Sequence, residues 1–180
     1  SLQESAKLAQ KHSYQLGLTR SQVVSSYHHY RQGRLAEALN EASEALQILE
    51  EHQDTWLPRI YNNLSMIQMD LGNATIALEY LQQQLVISQK QGDEDMEATA
   101  YHDLGWVLRQ SDRQIPQAIP YFERALKMFR KGRHPGGAEI ALLNLAECHL
   151  KLKDYQKAKR YAYEAIEAAI SLAEKTSHLP

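Results

Sequence analysis

The chain has 180 residues, of which 43% are hydrophobic and 23% are charged. Its 20 Lys and Arg residues nearly balance 22 Asp and Glu residues, which argues against the strongly basic surface of a nucleic-acid-binding protein. The apolar content argues against disorder, the single cysteine excludes an intrachain disulfide, and no run of about 18 apolar residues is present to span a membrane. We therefore expect a folded, cytoplasmic protein that binds neither nucleic acid directly nor a membrane.

The first predicted element is a helix over residues 1–17. Apolar residues recur at helical spacing along the whole chain, and only 8 Gly and 5 Pro interrupt it, so the sequence predicts an all-α protein. The segment Glu4-Ser5-Ala6 aligns with Glu123-Arg124-Ala125, which lies in the second helix of a predicted pair. Residues 1–17 are therefore either the second helix of a partial preceding repeat, in a fragment of a longer chain, or an N-terminal cap.

Four copies of one helix pair are predicted from residue 18 onward. They occupy residues 18–54, 55–93, 94–134 and 135–180, and successive copies are offset by 39 to 41 residues. Each first helix and each second helix carries a small residue where the two should approach closely: Ser26, Ser65, Gly105 and Ala146, then Ala38, Ala77, Ala118 and Ala158. One pair leaves an apolar face uncovered, so the next pair must cover it. The pattern predicts a solenoid of antiparallel helix pairs.

Glycine and proline mark the turns between the predicted helices. Gly33 and Gly72 stand where the chain needs a positive φ after a helix. In the third copy, Pro120 cannot donate a backbone hydrogen bond, so the second helix either begins near residues 117–118 or loses one bond in its first turns. We expect Pro135-Gly136-Gly137 to break the linker before the fourth copy.

The repeat resembles the tetratricopeptide repeat family. The resemblance covers residues 19–175 and is clearest in AYHDLGWVL at 100–108 and QAIPYFERAL at 117–126. These repeats are longer than the usual length of about 34 residues, as in kinesin light chains, polarity adaptors of the Leu-Gly-Asn type and bacterial regulators, and they lack the proline that often ends the family's repeat. The resemblance implies a right-handed α-solenoid.

The resemblance also implies that the first helices line a concave groove, where a protein or an extended peptide binds. Aromatic, methionine, arginine and amide side chains favour recognition, and twelve candidates share the predicted inward register: Tyr27, Tyr30, Arg59, Asn62, Asn63, Met66, His102, Asp103, Trp106, Arg109, Asn144 and Glu147. Long-repeat members place an asparagine at one of these offsets to hold a peptide main chain. That role carries over to Asn63 and Asn144, whereas Val24 and Asp103 occupy the equivalent positions of the other copies.

Structural alternatives remain open for three of these candidates. Met66 and Trp106 could pack against neighbouring repeats, and Asn63 could be a polar residue that stabilises its own helix. Both interpretations fit the same helical spacing.

The sequence gives little support for catalysis. It has no glycine-rich phosphate-binding loop, and the adjacent residues Cys148 and His149 would point about 100° apart on a helix, which disfavours a shared metal ion. We expect no catalytic residues, metal or cofactor.

The sequence favours a scaffold that binds a protein or a peptide. We expect it to be the sensing or recruitment part of a larger signalling or transcription-regulatory protein. The resemblance to long-repeat bacterial regulators implies that this setting is bacterial. An alternative is an architectural module that self-associates through its repeat ends or its convex face.

Overall fold

The computed structural model describes residues 2–132 and 134–177, and every regular element within those ranges is helical. The α-helices are α1 (Leu2–Arg31), α2 (Leu35–Glu51), α3 (Leu57–Asp70), α4 (Ala74–Gln91), α5 (Glu94–Arg109), α6 (Ile115–Lys131), α7 (Pro135–Lys151) and α8 (Tyr155–Ser177), with a 3-10 turn at Asp112–Gln114. The prediction of an all-α chain built from helix pairs is confirmed. Among the described residues, no helix has the length and apolar character that crossing a bilayer requires.

The chain divides into two compact units, residues 1–87 and residues 88–180, and the boundary falls inside α4. The core of the first unit joins α1, α2 and α3 through buried residues: Val23, Ala38, Ala42, Ala45, Leu49, Leu57, Ile60, Tyr61, Leu64 and Ile67. The core of the second unit joins α6, α7 and α8: Ile115, Ala118, Phe122, Leu126, Ala138, Ala141, Leu142, Leu145, Cys148, Tyr161 and Ala165. Each unit therefore has its own apolar core.

Small residues mark the close contacts within the helix pairs. Seven of the eight predicted positions are buried, and Ala146 is half-buried. Gly105 of α5 shows the reason, because a Cβ added there would lie 3.0 Å from the ring of Phe122 in α6. Phe122 is fully buried, so its ring fills the space that a glycine leaves. For the α5–α6 pair, the prediction that a small residue allows the helices to approach is confirmed.

The N-terminal helix differs from the prediction. α1 is one continuous helix of 30 residues, so the predicted helix boundary at residues 17–18 is wrong. Gly17 lies in the helix interior, where it costs only about 1 kcal/mol relative to alanine. The hydroxyls of Thr19 and Ser21 donate to the carbonyls of Gln15 and Gly17, at 3.0 and 3.1 Å, so these polar side chains are satisfied without a turn.

The turns follow the glycine prediction at two positions. Gly33 and Gly72 have φ values of +74° and +81°, which confirms that each ends a helix in the left-handed region. Of the two alternatives for the third copy, the second is correct: α6 begins at Ile115 and includes Pro120. Because a proline ring nitrogen has no hydrogen, the bond from residue 120 to the carbonyl four residues earlier is lost.

The predicted break at Pro135-Gly136-Gly137 is wrong, because these residues form the first turn of α7. Proline is well tolerated in the first turn, where its missing N–H has no partner within the helix. A Cβ added to Gly137 would lie 2.7–2.9 Å from the ring of Phe129. The glycine therefore admits a neighbouring aromatic ring and does not end a helix.

Candidate functional site

The twelve candidate residues fall on two surfaces, one in each unit. The α1–α3 surface consists of Tyr27, Tyr30, Arg59, Asn62, Asn63 and Met66. The α5–α7 surface consists of His102, Asp103, Trp106, Arg109, Asn144 and Glu147. Within each surface, the structure brings residues of two first helices into contact.

Asn63 joins α3 to α1. Its amide Nδ2 donates to the carbonyl of Val23 at 2.8 Å and to Oγ of Ser26 at 3.1 Å, and its side chain is buried. An amide nitrogen has two hydrogens to donate, so both are used inside the chain. This geometry favours a structural role for Asn63. Its role in holding a peptide main chain stays a prediction.

An aromatic pair lies at the C-terminal end of α1. The ring centroids of Tyr27 and Tyr30 are 6.3 Å apart, and the Arg31 guanidinium lies 5.9 Å from the Tyr27 ring. Both tyrosines are half-buried. Burial and, secondly, the carboxylate of Asp70 raise the pKa of Tyr30, so its hydroxyl stays protonated and can donate a hydrogen bond at neutral pH.

Trp56, which the candidate set omits, organises the other end of the α1–α3 surface. The guanidinium groups of Arg20 and Arg59 lie 5.9 and 5.4 Å from its ring centroid. Arg20 also donates twice to the buried carboxylate of Asp54, at 2.7 and 3.3 Å, and Asp54 accepts the backbone N–H of Trp56 at 2.9 Å. The sequence feature that could have pointed to Trp56 is its position directly before the first turn of α3. Its two arginine partners lie 36 residues before it and 3 residues after it.

The other two candidates of the first unit are partly accessible. Asn62 donates through Nδ2 to Oε1 of Gln84 in α4 at 3.4 Å, and Met66 is half-buried. Each therefore keeps some surface that a ligand could contact, so both residues remain candidates for the binding surface.

Hydrogen bonds through His102 connect Asp103 to Asn144 across the α5–α7 surface, and we call this chain of contacts the His102 relay. Nδ1 of His102 lies 2.8 Å from Oδ1 of Asp103, and Nε2 of His102 lies 3.0 Å from Nδ2 of Asn144. Because an amide nitrogen only donates, the Nε2 atom must accept, and the ring hydrogen of neutral His102 then sits on Nδ1 and points to Asp103. Asn144 is buried, so its amide fixes the imidazole in one tautomer.

Arg109 of α5 and Glu147 of α7 form an ion pair. The arginine side chain is largely buried, whereas about half of the glutamate side chain is exposed. Trp106 is half-buried and packs against the core of the second unit, which favours the packing alternative for most of its ring. The remaining edge of Trp106 still belongs to the surface.

Three further residues of α7, absent from the candidate set, extend this surface. Ile140, Leu143 and Leu150 are 51%, 50% and 55% exposed, and we call them the α7 stripe. Spacings of three and seven residues place them on one helix face, the face that also carries Glu147. Exposed apolar groups that cluster in this way mark interaction sites. Their signal in the sequence was the register that they share with the candidates.

The side chains that could have supported chemistry are placed unfavourably for it. Burial raises the pKa of the Cys148 thiol to about 11, so this thiol is protonated at neutral pH and is a poor nucleophile. Within residues 2–132 and 134–177, no group of three or more His, Cys, Asp or Glu side chains could hold a metal ion.

His149 should make stability depend on pH. It is buried, its ring stacks on Tyr161 at 5.5 Å, and its charged neighbours are Lys157, Asp154, Glu123 and Arg160. Burial, followed by Lys157, lowers its pKa from 6.5, so the unfolded chain binds this proton more readily than the folded one. We expect the free energy of unfolding to decrease as pH falls below about 6.5 and to level off below the folded-state pKa.

Urea unfolding at about pH 7.5 and about pH 5.5 tests this expectation. His149→Phe keeps a ring against Tyr161 and should reduce the loss of stability between the two values. Replacement of the exposed His28 by Gln should leave that loss unchanged. An equal pH dependence in the wild type and in His149→Phe would show that His149 is not its source.

Comparison with known proteins identifies the repeat. Two family models described as tetratricopeptide repeat match residues 56–131 and residues 102–173, and together they span residues 56–173. The chain is 26% identical over 152 residues to outer dynein arm-docking complex subunit 4 of Danio rerio, covering 79% of this chain and 30% of that protein. It is 27% identical over 138 residues to response regulator aspartate phosphatase A of Bacillus subtilis (strain 168), covering 68% and 36%.

The chain thus spans about a third of the length of these curated relatives. Among solved structures, it resembles a Rap protein complexed with competence and sporulation factor, with a TM-score of 0.79 and 20% identity over 87% of this chain and 44% of that one. At this level of identity, the likeness shows a shared helical-repeat fold.

Proposed function

Because this chain belongs to the tetratricopeptide repeat family, we propose that it is a scaffold that binds a protein or an extended peptide on the first helices of its pairs. The observation that carries the proposal is the α7 stripe, whose three large apolar side chains are each about half exposed. Burying apolar area is the main favourable term in protein association, and this helix face offers such area beside charged groups.

On the α5–α7 surface, the ligand would meet two kinds of group. Its apolar side chains would cover the α7 stripe and the exposed edge of Trp106. Its polar groups would meet the Arg109–Glu147 ion pair and the His102 relay. Because contacts inside the chain hold these groups in place, they would meet a ligand in fixed positions, which lowers the ordering cost of binding.

The α1–α3 surface offers a contact area of its own in the first unit. It offers the Tyr27–Tyr30 pair, the exposed Val24 and the arginine side chains of Arg31 and Arg59. Tyrosine and arginine are enriched at interface positions that contribute most to affinity. In this proposal, Asn63 contributes by holding α3 against α1, with any contact to the ligand main chain in addition.

A peptide-selection experiment tests the proposal. A phage-displayed library of random peptides would be selected on the wild-type chain, and the enriched peptides would be measured against the double variant Leu143→Ser/Leu150→Ser. We expect affinity to fall about tenfold or more, since apolar contacts worth about 1 kcal/mol each are lost and 1.4 kcal/mol is a factor of ten.

The matched control is Val86→Ser in α4, because Val86 is equally exposed but lies on a second helix. This variant should bind the enriched peptides as the wild type does. Circular dichroism should show all variants folded. Equal affinity of the double variant and the wild type would remove the α7 stripe from the binding surface.

The setting that we propose is a recruitment or sensing part of a larger signalling protein. The resemblance to a response regulator aspartate phosphatase supports a bacterial regulatory setting, and the resemblance to a docking-complex subunit supports recruitment. In this setting the chain contributes binding and not catalysis, which the buried, protonated thiol of Cys148 supports. Accelerated hydrolysis of acetyl phosphate by this chain alone would contradict that assignment.

A further inference from the structure

A second apolar surface lies on α8, on residues that the proposed ligand site does not use. Tyr155, Tyr163, Ile166 and Ile170 are between 54% and 63% exposed, and we call them the α8 stripe. Positions 0, 8, 11 and 15 along a helix fall within about 80° of one another around its axis. The opposite face of α8 is buried, where Tyr161 and Ala165 join the core of the second unit.

One basic and one acidic residue lie at equal distances on either side of Tyr163 in the α8 stripe. Lys159 precedes Tyr163 by four residues, and Glu167 follows it by four. Both charged side chains are exposed, and the Lys159 ammonium lies 5.6 Å from the centroid of the Tyr163 ring. Residues four apart lie on the same helix face. Apolar, basic, apolar, acidic and apolar side chains therefore follow one another along the stripe.

We propose that the α8 stripe is the contact surface of a symmetric homodimer, in which two copies of α8 pack antiparallel about a two-fold axis beside Tyr163. An isologous contact pairs residue i with residue j and j with i. Positions equidistant from Tyr163 then face each other, so Lys159 of each copy meets Glu167 of the other. Tyr155 faces the segment around Ile170 in the same way.

The charge pattern selects this arrangement over a parallel one. Two parallel α8 helices in register would place Lys159 beside Lys159 and Glu167 beside Glu167, which is repulsive. Complementary charges across an interface favour the correct register and exclude incorrect ones. A second copy of the chain therefore fits the stripe in one orientation, and the α8 stripe shares no residue with the α7 stripe.

The size of the stripe indicates a reversible dimer. Residues 155–170 extend about 22 Å along the helix axis at 1.5 Å per residue. A single crossing of two helices of that length lies at the low end of the areas that specific interfaces bury. We therefore expect a monomer–dimer equilibrium that depends on protein concentration.

Sedimentation velocity over a concentration series tests the proposal, using the chain as it stands. The wild type should shift from monomer to dimer as concentration rises. Lys159→Glu or Glu167→Lys should each weaken dimerisation by about tenfold or more, because each change creates two repulsive contacts across the two-fold axis. The double variant Lys159→Glu/Glu167→Lys exchanges the two charges and should restore the dimer.

The Leu143→Ser/Leu150→Ser variant supplies a control for specificity, since it should dimerise as the wild type does. Circular dichroism should show every variant folded. A monomer at all concentrations would overturn the proposal and assign the α8 stripe to another occupant, such as a further helix pair. A dimer that tolerates both single charge reversals would overturn it as well, because its contact would then lie elsewhere.

Discussion

Replacing Phe122 by alanine is expected to lower the free energy of unfolding by about 3–5 kcal/mol. The side chain is fully buried and is the largest in the core of the second unit that is completely removed from solvent. Its ring fills the space left by Gly105, and the His102 ring lies edge-on to it at 5.7 Å. Alanine leaves a cavity that a glycine on the facing helix cannot fill, so both burial and dispersion contacts are lost.

Urea denaturation followed by circular dichroism measures this loss, and Gly105→Ala supplies an internal test of its cause. In the wild type, the added methyl group would lie 3.0 Å from the Phe122 ring and should destabilise the protein. In the Phe122→Ala background the ring is gone, so the same methyl group should be tolerated. Alanine should then stabilise α5, because its helix propensity is higher than that of glycine. Additive effects of the two substitutions would contradict this contact.

The small-residue contacts could be predicted from the sequence because they depend on local spacing. Gly105 lies on the first helix of the third copy and Ala118 on the second, and each repeats a small residue found at the same position of the other copies. Close helix approach requires such residues. The large residue that exploits the space, Phe122, follows Ala118 by one helical turn. Nothing beyond the repeat was needed, so this part of the fold was predictable.

Helix ends were predicted less well, because glycine and proline act differently in different tertiary surroundings. Gly17 and Gly137 lie inside helices, whereas Gly33 and Gly72 end them with positive φ values. The ring that occupies the space beside Gly137 belongs to Phe129. The sequence does not show that neighbour, so the glycine alone predicts a break.

The candidate site shows the same limit more clearly. The register of the first helices predicts that His102, Arg109, Asn144 and Glu147 share one surface, and the structure pairs His102 with Asn144 and Arg109 with Glu147. It did not show that Asn63 donates to a carbonyl 40 residues earlier in the chain. Side-chain partners on another helix depend on rotamers and helix separation, which the repeat pattern does not specify.

Leu64→Ala should have the second large effect, a loss of about 2–5 kcal/mol in the free energy of unfolding. Leu64 is completely buried in the core of the first unit. The loss should lie in the upper part of this range, because relaxation around the cavity is restricted. The α2 face of this core presents the short side chains of Ala42 and Ala45, and the bonds of Asn63 fix α3 to α1.

Two controls distinguish a cavity from a general effect of substitution. Leu64→Met preserves volume and should cost less than about 1.5 kcal/mol. Val86→Ala, at a position exposed on α4, should change the free energy of unfolding by no more than about 0.5 kcal/mol. Equal losses in Leu64→Ala and Val86→Ala under urea denaturation would mean that Leu64 is not packed as the structure shows. In that case α3 would not be held between α1 and α2, and the α1–α3 surface would have no fixed arrangement with which to bind a ligand.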